Sequence, residues 1–279
     1  MKSINSFVPN LHTIILILII VTAGCKEKIN YVFSMQELQA FTTLKVNLER
    51  RVADLELTAN KVARFFLPPG ISEEKMRSYL AAGVDARDYI VACGLISPDG
   101  IMLYAEPDFF QQPEGLNLSK SEKFLYVLNE KKAYMSPIMI TPTAVRLQEY
   151  LMPVYNAGNQ FIGVLTILVD TGKLLDFTAL LPDLNTINLL VFETDGELVF
   201  NSRTGRLGGG NLNALRGEGA DELVDLIVQA CKESEGAAYY NIFDEMYDME
   251  FRYYAKWITV PLPGRDWRIF MNTEYEIEE

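Results

Sequence analysis

The stretch Ile90-Val-Ala-Cys-Gly-Leu-Ile-Ser-Pro-Asp-Gly-Ile-Met-Leu-Tyr-Ala105 holds two apolar runs on either side of Ser97-Pro98-Asp99-Gly100. Proline presets the backbone for the second position of a turn, and glycine accepts the positive φ that closes one. The stretch therefore predicts a β-hairpin with strands over 90–96 and 101–105. Downstream, Ser119 and Glu122 stand at capping-box spacing and open a predicted helix to about Lys132, with Phe124, Leu125 and Leu128 as its apolar side. Strands are predicted at Ala133 to Ile140, Glu149 to Tyr155 and Phe161 to Val169, the last two joined by Asn156-Ala-Gly-Asn-Gln160. The order is β-β-α-β-β-β.

The same order begins again after a short helix around Leu174 to Leu180 and a break at Pro182. Ile187 to Phe192, the turn Thr194-Asp195-Gly196 and Glu197 to Asn201 make a second hairpin. Gly205 to Asn211 lacks the spacing and the following Lys-Ser/Thr of a phosphate-cradling loop, and reads as a plain loop. A helix over Asp221 to Lys232 and strands near Ala237 to Phe243, Glu250 to Thr259 and Asp266 to Asn272 complete the copy. On Glu250 to Thr259, alternation puts Phe251, Tyr253, Ala255 and Trp257 on a buried face and Arg252, Tyr254 and Lys256 on a wet one. The acids Asp244, Glu245, Asp248 and Glu250 lack the alternating oxygen ligands of a calcium loop and read as a solvated hairpin tip. The fold class is α+β, with two tandem modules each built on an antiparallel sheet with flanking helices.

Upstream, Leu38, Phe41, Leu48, Val52, Leu55, Ala59, Val62 and Phe66 recur at helical spacing, with Lys45 interrupting the series. One long helix over 36–67 is predicted, ended by Pro68-Pro69-Gly70. Its stripe either packs on the domain beneath it or also pairs weakly with a second copy as a coiled coil.

The first thirty residues have the layout of a secretory leader. Lys2 precedes an apolar run of 11 residues from Leu11 to Val21, followed by Thr22-Ala23-Gly24-Cys25. A spanning helix needs about 20 predominantly apolar residues, so the run is short for a permanent anchor. The small residues before Cys25 resemble the lipobox of bacterial lipoproteins. That resemblance implies cleavage after residue 24, acylation of Cys25 and a tether over 25–35; an uncleaved signal anchor is the alternative.

Composition excludes whole classes of chemistry. The formal net charge is −12, without a basic tract, which argues against nucleic acid as a partner. The one histidine, His12, lies in the leader, so histidine-dependent triads and the usual zinc sites are absent from the mature chain. No metal ligand set or cofactor motif stands out. Cys93 and Cys231 read as two free thiols rather than a disulfide, since the context is not that of a small disulfide-dense domain.

The chain resembles the extracellular double-Cache, PAS-like sensor domains of bacterial chemoreceptors and histidine kinases. The likeness is carried by the long helix, Gly94-Leu-Ile-Ser-Pro-Asp-Gly100, Gly115-Leu-Asn-Leu-Ser119 before a helix, Pro153-Val-Tyr-Asn156, Phe161-Ile-Gly-Val-Leu165 and Pro261-Leu-Pro-Gly-Arg-Asp-Trp-Arg268. It implies a membrane-distal module over 68–182, a membrane-proximal module over 183–279, and a small-molecule site in the first. The amino-acid-sensing branch carries an Arg-x-Trp motif on the helix and an Asp on the last strand. Here the matching positions read Ser121-Glu-Lys-Phe124 and Leu168, so a standard α-amino acid is not the expected ligand.

The residues left for a ligand are Lys123, Phe124, Tyr134, Ser136, Arg146, Tyr150, Thr166 and Asp170. Arg146, read as a loop residue, could fork onto a carboxylate or phosphate or simply face solvent. The expected function is non-enzymatic: a lipid-anchored sensor outside the cytoplasm that binds a polar or anionic metabolite. With no second apolar span before Glu279, it is expected to act through a membrane receptor or histidine kinase. The alternatives are an envelope scaffold lipoprotein without a small ligand, and a hydrolase built on paired carboxylates, for which no pair stands out.

Overall fold

A computed structural model describes residues 33–66, 68, 70–141, 145–175, 188–202, 206–207, 220–244 and 248–274. The leader with Cys25, most of the glycine-rich loop, the break at Pro182 and Glu245 lie outside them, while Asp248 and Glu250 are exposed, as a solvated hairpin tip requires. None of the helices among the described residues is long and apolar enough to cross a membrane.

Helix α1 spans Met35–Arg64, about 45 Å at 1.5 Å per residue. Its start is fixed by a capping box: Ser34 Oγ accepts from the Glu37 amide, and the Glu37 carboxylate accepts from the Ser34 amide. The apolar stripe is unbroken, because Leu44, fully buried, fills the gap attributed to Lys45. Lys45 sits one residue on and pairs with Glu49.

The first sheet has the order β2-β1-β6-β5-β3, with β4 also on β5. Its strands are β1 (Ile90–Ile96), β2 (Met102–Glu106), β3 (Tyr134–Met135), β4 (Met139–Ile140), β5 (Arg146–Tyr155) and β6 (Phe161–Asp170). Two helices flank it, α2 (Glu73–Val84) and α3 (Glu122–Glu130). A short α4 (Thr171–Leu175) follows β6. The second sheet has the order β10-β11-β12-β7-β8-β9. It is built from β7 (Asn188–Glu193), β8 (Leu198–Asn201), β9 (Arg206–Leu207), β10 (Glu235–Asp244), β11 (Met249–Leu262) and β12 (Arg265–Glu274), with α5 (Asp221–Lys232) on it. Apart from β4 and β9, both sheets follow one path: second, first, last, next-to-last and third strand of each copy. The predicted repeat is thus a repeat of topology.

Several local expectations are corrected. Helix α3 begins three residues late, with Ser121 as N-cap, because Asn117 Oδ1 takes the Ser119 amide and holds the chain in a turn. Its inner face is Phe124 and Val127, while Leu125 is exposed. The strand predicted over 133–140 is split at Ser136-Pro137-Ile138, since proline has no N–H for a ladder. Ser136 repairs the break: Ser136 Oγ accepts from the Glu149 amide at 2.9 Å, and its carbonyl accepts from Gln148 Nε2 at 3.1 Å. The predicted alternation of β11 holds over 250–259, with Arg252 exposed and Tyr254 and Lys256 half-buried, but the strand runs on and its last residues on that face, Val260 and Leu262, are buried in the core under α1.

That core is continuous across both sheets. Phe41, Leu48, Leu55 and Val62 of α1 meet Ile167 and Val169 of the first sheet and Val191 and Ile269 of the second. Packing by the α1 stripe is as expected, and the stripe is thereby occupied within one chain. Each sheet's other face has its own cluster, under α3 in the first and under α5 in the second. Cys93 and Cys231 are both free thiols.

Candidate functional site

The face of the first sheet beneath α3 is where charge has been buried. On β5, residues 147, 149 and 151 share one face; on β6, residues 164, 166 and 168 face the same way. Leu151 and Val164 pack under Phe124 and Val127, making an apolar surround. Into it projects Glu149, only 8% exposed. One of its oxygens, Oε1, accepts from Thr166 Oγ1 at 2.5 Å, and Oε2 is ion-paired with Lys123 Nζ from α3. Burial pulls the Lys123 ammonium below the usual lysine range. Across the strand from Thr166 lies Gly94, where a Cβ would come within 3.0 Å of Thr166 Cγ2 and of the Tyr104 carbonyl. The lack of a side chain at 94 lets β1 and β2 pack closely against Thr166.

Lys123, Thr166 and Ser136 thus converge on Glu149, a residue the sequence reading did not single out. The register shows why it matters: Glu149 is the cross-strand partner of Leu168, where the resemblance expects an acid. The carboxylate is present, one strand over. Ser136 reaches it only through the backbone, since its hydroxyl donates to the Pro137 carbonyl.

The other expected residues are placed elsewhere. Phe124 is core beneath α3. Tyr134 rests 4.8 Å from the Tyr126 ring and meets Arg265 Nη2 of β12 at 3.5 Å, which puts it at the seam between the modules. Arg146 is the first residue of β5, on the strand face opposite Glu149. Tyr150 points the same way as Arg146, into the core under α1, where burial and the nearby Glu56 charge push its phenol up. Asp170 Oδ1 accepts from the Lys173 amide at 3.1 Å, holding the first turn of α4.

Two further charge clusters tie elements together. Arg77 of α2 forks onto Glu114 at 2.8 and 2.9 Å and reaches Glu106 at 3.1 Å, which holds Glu114 below the usual carboxylate range. Asp54 of α1 takes a two-pronged contact from Arg87 and a 2.8 Å hydrogen bond from Tyr89, so its carboxyl is also held low. In the second module, carboxylate oxygens of Glu193, Asp195 and Glu197 lie within 4.8 Å of one another at the β7–β8 turn. Arg265 already pairs with Glu193, so this turn meets part of its charge from within the chain.

Residues 48–171 match the family model described as HK/GC/chemotaxis protein-like, sensor domain. The solved structures supply the fold over nearly the whole described chain. An extracellular ligand-binding receptor from Desulfohalobium retbaense superposes with a TM-score of 0.69 at 14% identity, covering 86% of this chain and 41% of that one. The ligand-binding domain of the Pseudomonas aeruginosa amino-acid chemoreceptor PctC, in complex with GABA, gives 0.60 at 17% identity, covering 84% and 95%. That of the Campylobacter jejuni chemoreceptor Tlp3, with 4-methylisoleucine, gives 0.59 at 12% identity, covering 85% and 90%. No curated protein matches the chain. The fold is that of tandem Cache, PAS-like sensor domains, as the sequence resemblance implied.

Proposed function

We propose that this chain is a lipid-anchored sensor module outside the cytoplasm, which binds a small polar or anionic metabolite over the α3 face of the first sheet and acts through a membrane receptor or kinase. The observation that carries the reading is the Lys123–Glu149 pair, a buried carboxylate met by a half-buried lysine beside an apolar layer. The buried Glu149 carboxylate is held by the half-buried Lys123 at a desolvation cost, and a ligand with an anionic group for Lys123 and a donor for Glu149 keeps both paired while separating them. Gly94 lets the neighbouring chain approach closely beside Thr166, where a Cβ would press on it at 3.0 Å. Cys25, at the end of the leader, is the proposed anchor.

A thermal-shift screen of organic acids, ω-amino acids, α-amino acids and sugar phosphates tests the ligand. Stabilisation by one class, lost in both Lys123→Met and Glu149→Gln, is expected; no shift from any class would overturn the sensor reading. Cys25→Ala is expected to release the protein from membranes and abolish palmitate labelling, and unchanged labelling refutes the anchor. The self-contained pairing of Lys123 with Glu149 also suits a scaffold that has kept the fold and closed the pocket. Under that second reading, crosslinked partners are recovered equally with and without metabolites.

A further inference from the structure

A cavity of about 540 Å³ lies at the seam of the two modules, away from the Lys123–Glu149 pair. One wall is α1, through Glu49, Val52 and Glu56; another is Tyr126 of α3 with the following Lys132; the third is the β11–β12 turn, including Leu262. The turn is fastened to the first module. The Met135 amide donates to the Pro263 carbonyl at 2.8 Å, and a Cβ on Gly264 would press on the Tyr134 ring at 2.7 Å. Any occupant therefore touches both modules and the helix that spans them.

The charge in this cavity is unbalanced. The Glu56 carboxylate has no hydrogen-bond or ion-pair partner among the described residues, and its neighbour Tyr150 has a buried phenol that feels the Glu56 charge. Among the described residues Glu49 is met only by Lys45, 3.7 Å away at the half-exposed surface. The two carboxylates are seven residues apart on one helix, about 10 Å along its axis. Lys132, exposed at the rim, supplies one cation against the two. Between the acids the lining is apolar, with the Tyr126 ring available to a cation.

We propose that this seam cavity is a second ligand site, for a small aliphatic amine whose ammonium group sits on Glu56 and whose carbon chain lies against Val52, Leu262 and Tyr126. A second ammonium, where the ligand has one, falls within reach of Glu49. Such a cation replaces the missing counter-charge of Glu56 and clamps the β11–β12 turn to α1 and α3.

The test is isothermal titration of the purified full chain with 1,5-diaminopentane, n-pentylamine and pentanoate. Saturable binding is expected for both amines, stronger for the diamine, and absent for pentanoate. Glu56→Gln, at a half-exposed position that the fold tolerates, is expected to weaken diamine binding by about tenfold or more. Glu49→Gln is expected to bring the diamine down to the level of the monoamine. Circular dichroism of each variant keeps a folding defect distinguishable. The inference is overturned by no saturable amine binding to the unaltered chain, or by binding unchanged in folded Glu56→Gln. It is overturned equally by binding abolished in Glu149→Gln, which would assign the amine to the first-module site.

Discussion

The two modules share one strand order and one helix-covered face, yet they fill that face in opposite ways. Beneath α5 the second sheet packs Trp257, Phe270, Phe192, Tyr240 and Tyr253 against Leu223, Val224 and Ile227, a dry aromatic core. Trp257 and Phe270 stack with their rings 6.3 Å apart. Beneath α3 the first sheet has a thinner apolar layer and spends part of its area on Glu149, Lys123 and Thr166. Duplicated topology thus supports two fillings of the same face, an aromatic core in one copy and a carboxylate–lysine–threonine contact in the other. The buried charge on the second module's face is spent within the fold: Arg268 Nε donates to the carbonyls of Ala230 at 3.0 Å and Glu233 at 2.9 Å and closes the end of α5.

Four perturbations probe that contrast. The largest effect is expected from Trp257→Ala, which removes a 1%-exposed ring from the second core and should cost about 3–5 kcal/mol in urea unfolding. A loss below about 1 kcal/mol would mean that the aromatic layer is not where the stability resides. Next, Lys123→Met strands the buried Glu149 carboxylate and should cost about 1–3 kcal/mol; Glu149→Leu strands only the half-buried Lys123 and should cost less, while the double variant should recover most of the larger loss. Additive losses in that cycle would show that the two side chains are not coupled.

Glycine substitutions come third. At Gly236 a Cβ would lie 2.1 Å from Trp257 Cζ2, and Gly236→Ala should destabilise by about 1–3 kcal/mol through overpacking. Gly94→Ala meets its neighbours at 3.0 Å and should cost less stability while weakening ligand binding beside Thr166. Equal effects on ligand binding from both variants would erase the contrast between the modules.

The smallest effect is on pH dependence. Asp54 and Glu114 are held low by Arg87 and Arg77, so their contribution to stability is complete above the ordinary carboxylate range and disappears as the pH falls through their lowered values. Glu193 behaves oppositely: burial raises it, so the folded chain takes up its proton first and is favoured as the pH falls through the raised value. Hydrogen exchange in mild acid should therefore show β7 protected longer than the α2–β2 flank. Earlier loss at β7 would reverse the assignment.

Both hairpins, the long helix and α5 were legible in the sequence because each rests on local signals: a turn tetrad, a stripe at helical spacing, a polar start and a polar end. Strand 133–140 was misjudged because one proline splits it and Ser136 splices it from the side. Glu149 was invisible for a different reason. In sequence it is a polar residue opening a strand, and its partners Lys123 and Thr166 stand 26 and 17 positions away. Only strand register puts it opposite Leu168 and only the docking of α3 brings Lys123 over it. Tyr150 and Asp170 looked equally eligible by residue type, but strand parity sends the first under α1, and the second is taken up by the start of α4.

The capping box at Ser34 and the residue before it have a mechanical consequence. Phe33, 4% exposed, is packed in the core with its ring 5.4 Å from Tyr254 of β11. Tension arriving along the chain at residue 33 therefore meets a hydrophobic clamp on the second sheet before it reaches the body of α1. A pull applied at residue 33 would load the second sheet through that ring contact first, and the Lys123–Glu149 neighbourhood of the first sheet only after it.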